Sequence, residues 1–155
     1  MNILVDGIGN VGVSSKCELP KLEFLTIEST GAMSYEEVLP LIKAMNAKIT
    51  LNEWNPLTFA ALGALFNVGT LIICKGSTVQ DGKAVPVMAV LGGTVKIIEN
   101  QIPDRGKEVE AVFEIAVTSY SLLLNNVPVV MIDVKNMVCM VGGNDLMSDL
   151  RAHIL

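Results

Sequence analysis

Two segments of the chain alternate apolar and polar residues. From Lys43 to Trp54, the residues Met45, Ala47, Ile49 and Leu51 fall on one face, and Asn46, Lys48, Thr50 and Asn52 on the other. From Glu108 to Leu124, Val109, Ala111, Phe113, Ile115 and Val117 point one way, while Glu108, Glu110, Glu114 and Thr118 point the other. Both segments read as strands with one buried face. Further strands are expected at Asn10–Glu18 and Leu22–Ser29, which flank Leu19-Pro20-Lys21. Thr30–Ser34 reads as a loop. Tyr35–Ile42 shows no clean period, and Pro40 rules out a long helix there. Lys75–Lys83 reads as a hairpin loop with Asp-Gly turn chemistry. Ala84–Asn100 reads as a long strand, with a bulge or sharp bend at Gly92-Gly93. Gln101–Lys107 is a polar loop, Asn125-Asn126 a turn, and Val127–Val134 a returning strand.

Helices are few. Asn55 suits an N-cap and Pro56 a first helical position, so Leu57–Phe66 reads as a helix that stops at Asn67-Val68-Gly69. It is apolar nearly all round and therefore covered on more than one side. Thr70–Cys74 is rich in β-branched residues and follows as a buried strand. Trp54–Cys74 carries no charge and is long enough to span a bilayer, but this helix, turn and strand break it up. Asp145–Leu155 reads as a short helix with its acidic residue at the start. The sum is a mainly β chain: an antiparallel β-sandwich or partly open barrel with one apolar helix and a short C-terminal helix.

The 155 residues fit one domain, 1–155. Hydrophobic residues make up 51% and charged residues 17%, which excludes a disordered chain. So low a charged share implies that much surface is hidden against a membrane or other copies of the chain. The net charge of −5 argues against a protein that grips nucleic acid. Seven aromatic residues give little to stack single-stranded bases on.

Candidate chemistry is thin. Cys17, Cys74 and Cys139 have neither metal-ligand nor redox spacing, and read as small buried apolar residues in a reducing compartment. His153 lies near the end and reads as solvated. The start of the chain lacks the basic region of a signal peptide. Gly7, Gly9 and Gly12 match the spacing of a dinucleotide-binding loop, with Glu28 at a plausible offset. That loop needs a helix after its third glycine, and the residues that follow read as a strand ending near Pro20. The acid pairs Glu36-Glu37 and Glu108/Glu110 read as solvated charges. No metal, cofactor or catalytic residue is assigned, and the chain is not expected to be an enzyme.

Several segments, taken in order, resemble the major tail tube protein family of contractile-tailed bacteriophages. The first is Leu19-Pro20-Lys21-Leu22, followed by Gly31-Ala32-Met33. The second is Ile132-Asp133-Val134-Lys135-Asn136-Met137, similar to the family's I-D-x-x-N-M. The third is Gly143-Asn144-Asp145-Leu146, then Leu150-Arg151 and Ile154-Leu155. The opening Asn2–Gly7 also resembles the family's start. The likeness runs over the whole chain, but from about Lys43 to Gln101 it is one of pattern only. Ala32 and Ser34 depart from the family's usual residues, and the usual glycine before the terminal leucine is absent.

The resemblance implies sixfold rings that stack into a rigid tube inside a contractile sheath. Inner strands would join across subunits into one barrel, and DNA would pass through the lumen. An extended loop at about 29–42 would reach neighbouring subunits and the next ring. Leu19, Pro20, Lys21, Leu22, Gly31, Met33 and Tyr35 are the candidate contact residues there. Implied partners are further copies of the chain, the sheath protein, the baseplate hub, the tail terminator and the tape measure protein. No membrane insertion is implied. The place would be the virion tail, assembled in the host bacterial cytoplasm. A tailocin or a type VI-like secretion tube is the alternative, and an enzyme using Gly7, Gly9 and Gly12 a distant one. Six copies would carry roughly −30 per ring, a field that lets DNA slide. Either Glu108, Glu110 and Glu114 or Asn46, Lys48, Thr50 and Asn52 is expected to line the lumen.

Overall fold

The computed structural model describes residues 2–5, 8–9, 14–54, 56, 59–60 and 71–154. Twelve strands appear among them: β1 (Asn2–Val5), β2 (Ile8–Gly9), β3 (Ser14–Glu18), β4 (Phe24–Ser29), β5 (Tyr35–Ile42), β6 (Met45–Leu51), β7 (Leu71–Gln80), β8 (Lys83–Gln101), β9 (Glu110–Leu124), β10 (Val127–Asp133), β11 (Val138–Val141) and β12 (Asn144–Asp145). A helix, α1, spans Ser148–Ile154 with Asp149 in its first turn. Among the described residues all pairings are antiparallel, and the sheets do not close into a barrel. The expected mainly β fold is present. The helix expected at Leu57–Phe66 falls almost wholly outside the described residues, as do Gly7, Gly12 and Asn10–Val13. Among the described residues, no helix is long and apolar enough to cross a membrane.

The architecture turns on the long ribbon of β8 and β9. Along one edge, β9 pairs with β8 over its whole length. Its other edge is divided: Ala111–Val117 pairs with β6, and Ser119–Leu124 with β10. The first half of β8 pairs with β7, which carries β1 and β2. The ribbon therefore serves two sheet halves. The front half runs β3-β6-β9-β8, and the back half runs β12-β11-β10-β9-β8-β7-β1-β2.

One extra residue lets β9 belong to both. Gly93 pairs with Val117 and Gly92 with Ser119, which leaves Thr118 as a bulge. Adding one residue flips the side-chain alternation. Ala111, Phe113, Ile115 and Val117 are buried before it, and Tyr120 after it. The sequence placed this irregularity at the glycines, whereas the surplus residue lies across from them. The glycines are needed because the strands approach closely. A Cβ on Gly93 would meet the Ala116 carbonyl oxygen, which is backbone and cannot give way. Gly93→Ala should destabilise the chain by about 3 kcal/mol, the upper part of the overpacking range. Denaturant unfolding measures this, and an unchanged midpoint would contradict the close approach.

Both halves feed one core. In the front half, β6 buries Met45, Ala47, Ile49 and Leu51, the face that alternation gave. In the back half, Ile72, Leu91, Tyr120, Ile132 and Cys139 form a buried row across β7 to β11. The Phe59 ring meets Phe113 edge to face, with centroids 5.2 Å apart.

Two tight turns match their sequence. Asp81 and Gly82 have φ of 51° and 74°, and Asn125 and Asn126 of 51° and 63°. Two-residue hairpins need positive φ at both central positions, which Asn, Asp and Gly tolerate. The nine-residue loop expected at Lys75–Lys83 is instead strand on both sides of Asp81-Gly82. Its polarity reflects a ribbon exposed on both faces. Strand β11 was not expected at all.

Candidate assembly surfaces

The front half presents one polar face. Residues directly opposite in a ladder share a face. Glu18 lies opposite Lys48, Lys48 opposite Glu114, and Glu114 opposite Ile97. The next row holds Lys16, Thr50, Val112 and Glu99. The two polar rows that the sequence left as alternatives are thus neighbours on a single surface. Asn46, Lys48, Thr50, Glu110 and Glu114 lie on it. Asn52 falls just beyond the end of β6, and Glu108 sits in the connection before β9, so neither belongs to the ladder.

This face is nearly balanced in charge. Lys16, Lys48 and Lys96 stand against Glu18, Glu99, Glu110 and Glu114. Lys16 Nζ is 2.6 Å from Glu18, and Lys96 Nζ, in a second bulge of β8, is 3.4 Å from Glu114. The Lys16 hydrogen bond, aided by the charge of Lys48, holds the Glu18 carboxyl below the usual carboxylate range. Most of the chain's net −5 therefore lies elsewhere.

The face ends in two open edges. Among the described residues, β3 pairs only with β6, and Thr94–Gln101 of β8 only with β9. Each edge offers a row of backbone donors and acceptors that another strand can take up. Ile97 and Ile98, both exposed, flank the β8 edge.

A second surface is the hairpin of β4 and β5, which forms a two-stranded sheet of its own. The segment without a clean period, Tyr35–Ile42, is one arm of it. The Leu19-Pro20-Lys21-Leu22 segment leads into the hairpin. Pro20 is buried, and Leu22, Phe24 and Ile42 pack against the core. Lys21 pairs with Glu23 at 2.6 Å, and Glu23 also faces Lys43 at 3.6 Å. Lys21 first, then Lys43, keep the Glu23 carboxyl below its ordinary range.

Away from this base the hairpin is bare. Met33 is 82% exposed, Val38 64%, Tyr35 59% and Ile27 51%. Gly31 has open space around it. Glu28 and Glu36 stand directly opposite each other, a repulsive pairing in a ladder. An isolated two-stranded hairpin is marginal in water. This one combines apolar exposure on both faces with like charges across the ladder.

The motif at Ile132–Met137 is turn chemistry. Ile132 is core. Asp133 Oδ1 accepts from the Lys135 and Asn136 amides at 3.1 and 3.3 Å, and Oδ2 accepts from Asn136 Nδ2 at 2.7 Å. Met137 has φ of 54°. Asp and Asn thus shape the β10–β11 turn. The Val134 amide donates to Thr118 O at 3.0 Å and ties that turn to the β9 bulge.

The family model described as phage tail tube protein FII matches residues 1–154. The chain belongs to that family. As a phage tail tube protein it has a structural role, as a component of a virion or a phage-tail-like particle that assembles with other tail parts. Among solved structures, a chain of the anti-feeding prophage (AFP) baseplate, a 6-fold symmetrised cryo-EM structure, is 14% identical to it. That match covers 79% of this tail tube protein and 89% of the other chain, with a TM-score of 0.43. No curated protein matches the chain.

One feature of this tail tube protein was invisible to spacing arguments. The cysteines, read as separate buried residues, include a close pair: Cys17 Sγ lies 2.7 Å from Cys74 Sγ. Cys17 is only partly buried.

Proposed function

We propose that this tail tube protein forms sixfold rings by pairing the β3 edge of one subunit with the Thr94–Gln101 edge of β8 in the next. The carrying observation is that one four-stranded sheet bears both open edges, one at each side. Such a sheet can close head to tail, and closure removes the edges altogether. The rings stack into a tube that carries DNA, inside a contractile sheath.

In this reading the polar face of the front half lines the lumen. Three lysines against four glutamates, partly engaged with each other, hold DNA poorly. Binding by counterion release needs a basic excess. The β4–β5 hairpin reaches the neighbouring subunits and the next ring, which covers its exposed apolar residues. Sheath, baseplate hub, terminator and tape measure proteins meet the remaining surfaces, and assembly takes place in the host cytoplasm before DNA ejection.

Negative-stain electron microscopy of the concentrated protein tests the assembly. Sixfold rings or hollow tubes are expected. Rings of another order, or stacks with no central channel, would contradict it.

A further inference from the structure

Cys17 and Cys74 are 57 positions apart in sequence and sit on different sheet halves. Cys17 is on β3 opposite Ile49, and Cys74 is on β7 between Ile3 and Ala89. Both thiols are free, with the sulfurs 2.7 Å apart. That is about 0.7 Å beyond the covalent S–S length. A cavity of about 220 Å³ is lined by both thiols together with Leu19, Lys75, Val87 and Ala89. A small thiol reagent can enter it. Cys17 is only partly buried whereas Cys74 is buried, so Cys17 is the sulfur an oxidant meets first. Cys139 is fully buried on β11 and belongs to the core row.

We propose that Cys17 and Cys74 are an oxidation site that closes to a disulfide with a low-molecular-weight disulfide as oxidant. The Cys17 thiolate attacks one sulfur of the oxidant and expels one small thiolate, leaving a mixed disulfide on Cys17. The Cys74 sulfur, its proton passing to the departing thiolate, then attacks Cys17 Sγ and expels the second. Two protein thiols lose two electrons and two protons, and the oxidant leaves as two small thiols. The new bond staples the open edge strand β3 to β7 of the back half. It encloses β4, β5 and β6 in a long loop and so restrains the unfolded chain. A reducing thiol pool keeps the pair open, and an oxidising one closes it. This inference stands apart from the tube reading, since it needs only the single chain.

The test treats the reduced full-length chain with oxidised glutathione under native conditions, then blocks the remaining thiols and maps peptides by mass spectrometry. Two of the three thiols should be lost, and the Cys17 and Cys74 peptides should be recovered as one linked species. The melting midpoint should rise by roughly 10 °C. Cys139→Ser should form the same link, and Cys17→Ser should form none. The proposal is overturned by a glutathione adduct retained on Cys17 with no linked peptide, by a link through Cys139, or by three unreacted thiols. The wild-type peptide map decides the matter even where a variant folds poorly.

Discussion

Truncation of Phe113 to alanine should lower the thermal midpoint of the subunit by roughly 10–15 °C. Phe113 is fully buried in the centre of β9, opposite Ile49 on β6 and Ile98 on β8. Its ring also meets Phe59 edge to face. The side chain thus joins both neighbours of the front half to the residues that cover them. Removing a buried phenylalanine costs about 3–5 kcal/mol, the lost transfer free energy plus the cavity left behind. A domain of this size loses about 2–4 °C per kcal/mol. Differential scanning calorimetry reads the shift. Asn46→Ala, on the polar face of β6, is the internal control and should stay within about 0.5 kcal/mol. Equal effects at the two positions would mean that the two faces of the sheet are wrongly assigned.

The second large effect concerns assembly. The double change Tyr35→Asp and Val38→Asp should abolish tubes while leaving the subunit folded. Tyr35 lies opposite Ser29 and Val38 opposite Thr26, so the two residues stand on opposite faces of the hairpin. One charge on each face blocks packing whichever side meets a neighbour. Burying an unpaired carboxylate costs several kcal/mol. A loss of at least about 3 kcal/mol per contact means a fall of about a hundredfold or more in tube yield. The subunit's own melting point should hardly move, because both side chains are exposed in the free chain. Sedimentation of assembled material against soluble protein gives the answer. Tubes at the wild-type yield would show that the hairpin makes no contact between subunits.

Much of the fold was legible in the sequence because each half exposes one face. Strands β6 and β9 carry the two-residue period plainly, since one side of each meets core and the other water. Asp81-Gly82 and Asn125-Asn126 were legible because few residues accept positive φ. The face switch in β9 was not. A bulge is a relation between two strands, and Thr118 looks like any other polar residue until Gly92 and Gly93 are placed beside it. Strand β5 lacked a period because the hairpin is exposed on both faces. Strand β11 is four residues, Val-Cys-Met-Val, too short and too uniform to alternate. The polar rows of β6 and β9 were each visible, but only the register of Lys48 against Glu114 makes them one surface. The thiol pair left no signal in spacing, because packing of the two sheet halves brings it together.

In the proposed tube, two open edges of one sheet join between subunits with the polar face turned inward. A cryo-EM reconstruction of assembled tubes, at a resolution that separates strands, tests it most directly. β3 of one subunit should be hydrogen-bonded beside Thr94–Gln101 of the next, with Lys48 and Glu114 lining the channel. A map in which these edges remain apart, or in which that face lies on the outside of the tube, would contradict it.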